Sequence, residues 1–203
     1  MKVIGHINQF NQLAAKYDTT KNKDMAKRST EAIRNLLDKN HTKTAIDFGC
    51  GTGNVGLDLL EDFESMLFVD ASPAMIEQVE KKLADIDTKK ASVLCLDIEK
   101  DDQLLYKADT IILSLVLHHI SDSHKLLSKL YEALNKDGQL LIIEMEKPKK
   151  VSSGHGHGMD SSALTAALSE IGYQHIQSNI FYDAKKENAG QEASRFILSA
   201  RKK

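Results

Sequence analysis

The chain has 203 residues, 28% of them charged and 41% hydrophobic, with a formal net charge of −2. That is the balance of a globular domain able to bury a sizeable core, and it lacks the positive field a nucleic-acid backbone would want. No apolar stretch approaches the roughly 20 residues that span a bilayer, and two cysteines, Cys50 and Cys95, make neither a disulfide framework nor a zinc spacing, which fits a reducing cytoplasm.

Residues 1–8 hold no apolar region fit for a signal peptide. Ile7, Phe10, Leu13, Ala14 and Tyr17 recur at helical spacing and predict one helix. Met25, Ser29, Ala32, Ile33, Leu36 and Leu37 predict a second. From Lys43 onward short apolar runs alternate with amphipathic stretches, the pattern of βαβ units around a parallel sheet. The predicted strands cover 43–48, 66–70, 92–96, 109–115 and 139–145. Runs such as Thr110-Ile111-Ile112-Leu113 are continuously apolar, as strands buried on both faces are.

Ser72-Pro73 supplies a helix cap and first-turn proline, followed by a stripe of Met75, Ile76, Val79, Leu83 and Ile86. Ser121 is predicted to cap another helix that buries Leu126, Leu127, Leu130 and Leu134 and ends before Gly138. Leu164, Leu168 and Ile171 mark a shorter helix stopped by Gly172, and two last strands are expected at 173–181 and 195–201. The polar segment 183–194 reads as their connection. No boundary divides the chain, so it is expected to form one domain over 1–203, with a helical cap (1–42) on an α/β core (43–203).

The most informative stretch is Asp47-Phe48-Gly49-Cys50-Gly51-Thr52-Gly53, between the first strand and an apolar-periodic segment. Glycines at alternate positions let a backbone turn tightly and approach a ligand with no Cβ in the way. A dinucleotide fingerprint would need a glycine where Asn54 stands, which disfavours a nicotinamide oxidoreductase. A P-loop would need a Gly-Lys-Ser/Thr ending that does not occur.

Two carboxylates follow at strand ends, where the crevice of such a sheet lies. Asp70, 17 positions after Gly53, can accept hydrogen bonds from both hydroxyls of a ribose. The alternative is a helix-capping Asp, for which Ser72 is better placed. Asp97 closes Val93-Leu94-Cys95-Leu96-Asp97 and can accept from an exocyclic amine such as that of adenine, with Ile98 against the base. A solvated strand-end Asp is the plain alternative.

In order and spacing, these stretches resemble the class I S-adenosylmethionine (SAM)-dependent methyltransferases. Residues 45–57 look like the family's first motif, 67–76 like its ribose-acid segment and 94–98 like its adenine motif. Residues 108–122, with Ser114-Leu115-Val116-Leu117-His118-His119-Ile120, look like its fourth-strand motif, and 130–145 like the approach to strand five. The resemblance implies a Rossmann-like, seven-stranded, mostly parallel sheet with an antiparallel last strand and helices on both faces.

It also implies roles. Asp47 would orient the glycine turn and approach the SAM amino group. The backbone at Gly49, Cys50 and Gly51 would line the methionine moiety, with Gly53 a further cofactor-binding candidate. Asp70 with Ala71 would take the ribose, Met75 would flank adenine, and Asp97 and Ile98 would hold the base. Ser114 would sit beside the methionine end. The segment 10–18 is similar to the helix that small-molecule methyltransferases lay over SAM, making Tyr17 a candidate for the carboxylate or simply a lid tyrosine.

Methyl transfer needs little chemistry from the protein, because the sulfonium supplies both electrophile and leaving group. Alignment can contribute roughly 7–11 kcal/mol, and a base is required only for an acceptor that must lose a proton. His118 and His119 are the candidate bases, against the alternative that they merely fix their loop. His155-Gly156-His157, with His118 or Glu144 to complete the set, has the makings of a metal site, but with glycine flanks it reads as a solvated or substrate-covering loop, so no metal is expected. A small-molecule acceptor is expected, with no nucleic acid and no membrane. The competing readings are an RNA or protein methyltransferase helped by a partner subunit, and a silent SAM-binding module.

Overall fold

The computed structural model describes residues 3–39, 43–100, 104–147, 158–183 and 194–203, with side chains described from Ile7 onward. Their strands form a seven-stranded sheet: β1 (Thr44–Phe48), β2 (Ser65–Asp70), β3 (Ala91–Cys95), β4 (Ala108–Ser114), β5 (Leu134–Met145), β6 (Gln174–Tyr182) and β7 (Arg195–Arg201). The order is β3-β2-β1-β4-β5-β7-β6, parallel throughout except that β7 runs antiparallel to both β5 and β6. The helices are α1 (Val3–Leu13), α2 (Thr20–Arg34), α3 (Asn54–Leu59), α4 (Pro73–Ile86), α5 (Ser123–Ala133) and α6 (Ser161–Ile171). None of the described helices is long and apolar enough to cross a membrane.

Because side chains alternate along a strand, each apolar run feeds two cores. Ile46, Phe48, Leu67, Val69, Ile111, Leu113, Leu140 and Ile142 pack on one face with Leu126, Leu127 and Leu130 of α5 and Leu164 and Leu168 of α6. Ala45, Met66, Phe68, Ile112, Leu141 and Ile143 pack on the other with Ile33 of α2, Leu59 of α3 and Val79 of α4. Fully burying one such side chain contributes about 1.5–3 kcal/mol, so the absence of polar alternation in β4 and β5 reflects two covered faces. Close approach is enforced at Gly56, where a Cβ would lie 2.4 Å from Asp47 Oδ2 and 2.5 Å from the Phe68 ring. Only glycine lets α3 sit that near the sheet.

Local boundaries differ from expectation for identifiable reasons. The first predicted helix ends at Leu13 and tightens into a 3-10 turn over Ala14–Lys16. The second spans Thr20–Arg34, capped by Thr19, and leaves Leu36 and Leu37 beyond its end. The cap of α5 is Asp122, which accepts from the Lys125 N–H at 2.9 Å, whereas Ser121 is drawn away to Glu99. That helix stops at Ala133, not near Gly138. Residues 135–138 bulge within β5, Asp137 at φ +60° and the Asn135 amide donating to Asp109 Oδ1 at 2.8 Å.

Candidate functional site

The sheet order reverses between β1 and β4, both of which end at one edge of the molecule, and such a switch point leaves a crevice. A cavity of about 220 Å³ opens there. Its floor is the turn after β1, with Gly49, Gly51 and Gly53 at φ between +55° and +79°. The turn hangs from β2: the N–H groups of Gly49 and Cys50 donate to the Val69 carbonyl at 2.7 and 3.0 Å, and the Gly51 N–H donates to Asp70 Oδ2 at 2.8 Å. A Cβ on Gly51 would meet no heavy atom within 4 Å, so the backbone presents a bare, open cradle.

Asp70 also accepts from the Ser72 N–H through Oδ1 at 2.8 Å, so it fastens the turn, while Ser72 caps α4. Burial pushes the Asp70 carboxyl above its ordinary value. Further along the crevice lie Ala71, Met75, Asp97 and Ile98. Asp97 Oδ1 accepts from the Glu99 N–H at 3.2 Å. Its Oδ2 is buried with no hydrogen-bond partner; the Lys100 ammonium lies 2.7 Å away as an ion pair without hydrogen-bond alignment. Glu99 Oε2, also lining the crevice, is likewise buried and unpartnered. Glu99 Oε2, and Asp97 Oδ2 beyond its ion pair with Lys100, are the acceptors beside which a donor-bearing ligand edge would settle.

A smaller cavity of about 90 Å³ continues beneath α2 and shares Tyr17, Gly49, Gly51, Ser114 and Leu115 with the first. Asp47, Cys50 and Arg195 line it as well. Asp47 is 1% exposed and accepts from the Gly56 N–H at 3.1 Å. Burial, reinforced by the charge of Asp70, pushes its carboxyl up to about 7. Burial also raises Tyr17 and lifts the Cys50 thiol well above its ordinary value, which removes Cys50 as a nucleophile.

The far end of the crevice follows β4. Leu115 adopts φ +60°, costly for a leucine, and its N–H is held by the Ile143 carbonyl at 2.9 Å. The backbone then forms a 3-10 turn over Leu117–His119 that sets both histidines on the cavity wall. His118 Nδ1 lies 2.9 Å from Oε2 of Glu144, a fully buried carboxylate on β5. The His119 ring lies 3.9 Å from that of His118 at a 45° tilt and makes a T-shaped contact with Phe10 of α1 at 5.1 Å.

The N-terminal segment is latched over this crevice at two points. Asn11 Oδ1 accepts from Ser72 Oγ at 2.6 Å. Asp18 accepts from Thr52 Oγ1 (2.5 Å), Asn54 Nδ2 (2.8 Å) and Lys82 Nζ (2.6 Å). Burial acts to raise the Asp18 carboxyl, but these partners outweigh it and hold it below its ordinary 3.8. The contribution of Asp18 is therefore present above that value and is lost as pH falls through the lower folded one. Asp18→Ala should cost about 1–2 kcal/mol in urea unfolding at neutral pH, and the difference from the unsubstituted chain should shrink under acid.

Of the residues singled out in the sequence, Tyr17, Asp47, Gly49, Cys50, Gly51, Asp70, Ala71, Met75, Asp97, Ile98, Ser114, His118 and His119 all line one cavity or the other. Gly53 does not: it caps α3 and packs against Leu57 and Val79. His155 and His157 lie outside the described residues. Among the described ones, no group of three His, Cys, Asp or Glu side chains could hold a metal ion. Glu99 and Arg195 escaped the sequence reading, and Glu144 entered it only as a conceivable metal ligand. A charge closing the apolar run of β5 was the available signal for Glu144. Arg195 gave none, since its place depends on pairing with Met145.

Residues 46–140 match the family model of the methyltransferase domain. An uncharacterised methyltransferase of Schizosaccharomyces pombe is 26% identical over 71% of this chain and 53% of its own length. The ubiquinone/menaquinone biosynthesis C-methyltransferase UbiE of Campylobacter jejuni is 26% identical over 71% of this chain and 65% of its own. The chain thus spans between half and two thirds of the length of these relatives. Among solved structures, N-methyltransferase NodS from Bradyrhizobium japonicum, in complex with S-adenosylhomocysteine, superposes with TM-score 0.74 at 15% identity, covering 100% of this chain and 99% of NodS.

Proposed function

We propose that this chain is a class I S-adenosylmethionine-dependent methyltransferase that moves a methyl group from SAM to a small-molecule acceptor, a reading supported by the methyltransferase-domain match over residues 46–140 and by the shared fold. In this reading it works in the cytoplasm as one domain, with residues 1–42 capping a core of 43–203. The observation that carries the proposal is the unbroken crevice from Asp97 past the open face of Gly51 to His118.

The residues fit the donor's parts in turn. The buried Asp97 Oδ2, ion-paired with Lys100, would accept from the adenine amine, with Ile98 and Met75 against the ring. The carboxylate of Asp70 retains lone pairs for ribose hydroxyls after accepting from Gly51 and Ser72. Asp47 and Arg195 line the cavity that would hold the amino-acid end, where opposite charges suit a zwitterion. Bound SAM supplies an activated methyl carbon; the protein's part is to hold the acceptor in line and exclude water. Relatives named as C-methyltransferases support a small acceptor, as does the roof that α1 lays over the histidine end.

Thermal unfolding with S-adenosylhomocysteine, NADH and ATP tests the reading. A ligand at 100 times its dissociation constant adds about 2.7 kcal/mol. Only S-adenosylhomocysteine should raise the midpoint, and Asp70→Ala should abolish most of that gain. Stabilisation by NADH, or an undiminished response in the variant, would overturn the assignment.

A further inference from the structure

Resting on the methyltransferase reading above, we infer that Glu99 is a specificity-determining residue and that the acceptor carries an ammonium group on a compact apolar body. Glu99 follows the end of β3, yet its side chain reaches the loop that follows β4. Its Oε1 accepts from the Ser121 N–H at 2.9 Å and from Ser121 Oγ at 2.5 Å. Ser121 comes directly after His118, His119 and Ile120, which line the crevice. The Glu99 carboxylate is thus tied to the histidine end, while Asp97 keeps the end proposed for adenine.

The two bonds to Ser121 hold this carboxylate in place before any ligand arrives, and they use one oxygen only. Glu99 lines the crevice, and its Oε2 is buried with no hydrogen-bond partner. A carboxylate oxygen kept from water without a donor is costly, and folded chains rarely leave one so. A donor on the ligand relieves that cost.

Charge selects the donor. Asp97 has the Lys100 ammonium at 2.7 Å, and Asp70 has the backbone N–H groups of Gly51 and Ser72. The partners of Glu99 are both neutral groups of Ser121. The Lys129 ammonium, on α5, donates instead to the Ile98 carbonyl at 2.9 Å. No lysine or arginine lines this cavity among the described residues; Arg195 belongs to the adjoining one, which Asp47 also lines. An ammonium therefore matches the wall, whereas a phosphate or carboxylate on the acceptor would meet like charge. Phe10, Val116, Ile120 and Met145 make the surround apolar, which suits a body without further polar groups. A charge-assisted hydrogen bond is roughly twice as strong as a neutral one, so Glu99 would separate an amine from its neutral isostere as well as from an acid. Tying the two loops together uses Oε1 alone, a task glutamine could share, so Glu99→Gln isolates the charge.

Three probes of similar size test this: benzylamine, protonated at neutral pH, benzyl alcohol and benzoate, each titrated calorimetrically into the S-adenosylhomocysteine complex. Benzylamine should bind about 10-fold more tightly than benzyl alcohol, and benzoate more weakly than either. Glu99→Gln should bring benzylamine down to the level of the alcohol and leave the alcohol's affinity unchanged. A loss shared equally by both probes would make Glu99 merely structural and overturn the inference. It is also overturned if benzyl alcohol or benzoate matches benzylamine, if benzylamine does not bind, or if its advantage survives in Glu99→Gln. The comparison on the unsubstituted chain needs no variant, so misfolding of Glu99→Gln leaves it decisive. Titration with S-adenosylhomocysteine alone separates the two levels: lack of uptake defeats the methyltransferase reading, whereas normal uptake with no preference for the amine defeats only the role of Glu99.

Discussion

Asp47→Asn should make the ligand-free protein more stable at alkaline pH while weakening its hold on SAM and S-adenosylhomocysteine. The Asp47 carboxyl is 1% exposed and is pushed by burial, and then by the charge of Asp70, from 3.8 to about 7. A raised folded-state value means that the stability linked to the neutral acid is fully present below the unfolded value and lost as pH rises through about 7. Above that pH the chain holds a buried carboxylate that accepts from the Gly56 N–H. Replacing it with a neutral amide of the same shape should recover on the order of 2–4 kcal/mol, read as a shift in the urea midpoint at alkaline pH that shrinks steadily as pH falls toward the unfolded value of 3.8. The second half of the expectation follows from the proposed role. An ammonium group placed beside Asp47 favours the ionised form, so binding should release a proton near neutral pH. Calorimetry of S-adenosylhomocysteine in buffers of different ionisation enthalpy should detect that release in the unsubstituted protein and not in the variant. Equal affinity and equal proton release in both would remove Asp47 from the binding site.

This tension between stability and binding explains which parts of the site could be read in advance. Asp47, Asp70 and Asp97 each break an apolar strand at its carboxyl end, and a charge there is conspicuous because burying it costs free energy. The glycine turn was legible for the same reason, since its alternate glycines have no other use in a strand-to-helix connection. The sheet was legible as well, because continuous apolar runs with helical stripes between them admit few arrangements. What stayed hidden depends on distant pairing. Glu144 reaches His118 only because β4 and β5 run side by side with Ser114 opposite Ile143. Arg195 joins the second cavity only because β7 turns back along β5. Gly53 stands apart from both cavities for a local reason: its positive φ serves the start of α3. The bulge in β5 was likewise hidden, since Asn135-Lys136-Asp137-Gly138 reads as a helix end until the bond from Asn135 to Asp109 is seen.

Gly51→Ala should cost little folding stability and nearly all affinity for S-adenosylhomocysteine. At φ +55° an alanine pays about 1–2 kcal/mol for the left-handed backbone, and its methyl meets nothing in the ligand-free protein, where no heavy atom lies within 4 Å. Folding therefore loses only that strain. In the bound state the same methyl would stand in the cradle, and the strained turn also endangers the Gly51 N–H bond to Asp70 at 2.8 Å, which sets the carboxylate proposed to take the ribose. Overpacking of this kind costs about 1–3 kcal/mol, so together with the disturbed Asp70 the dissociation constant should rise about 100-fold or more. Gly56→Ala provides the contrast. Its methyl would meet Asp47 Oδ2 at 2.4 Å and Phe68 at 2.5 Å, so it should damage the fold first and binding as a consequence. Urea midpoints and calorimetric affinities measured on both variants separate the cases. If Gly51→Ala binds S-adenosylhomocysteine as tightly as the unsubstituted chain, the open face of the turn is not where the donor lies.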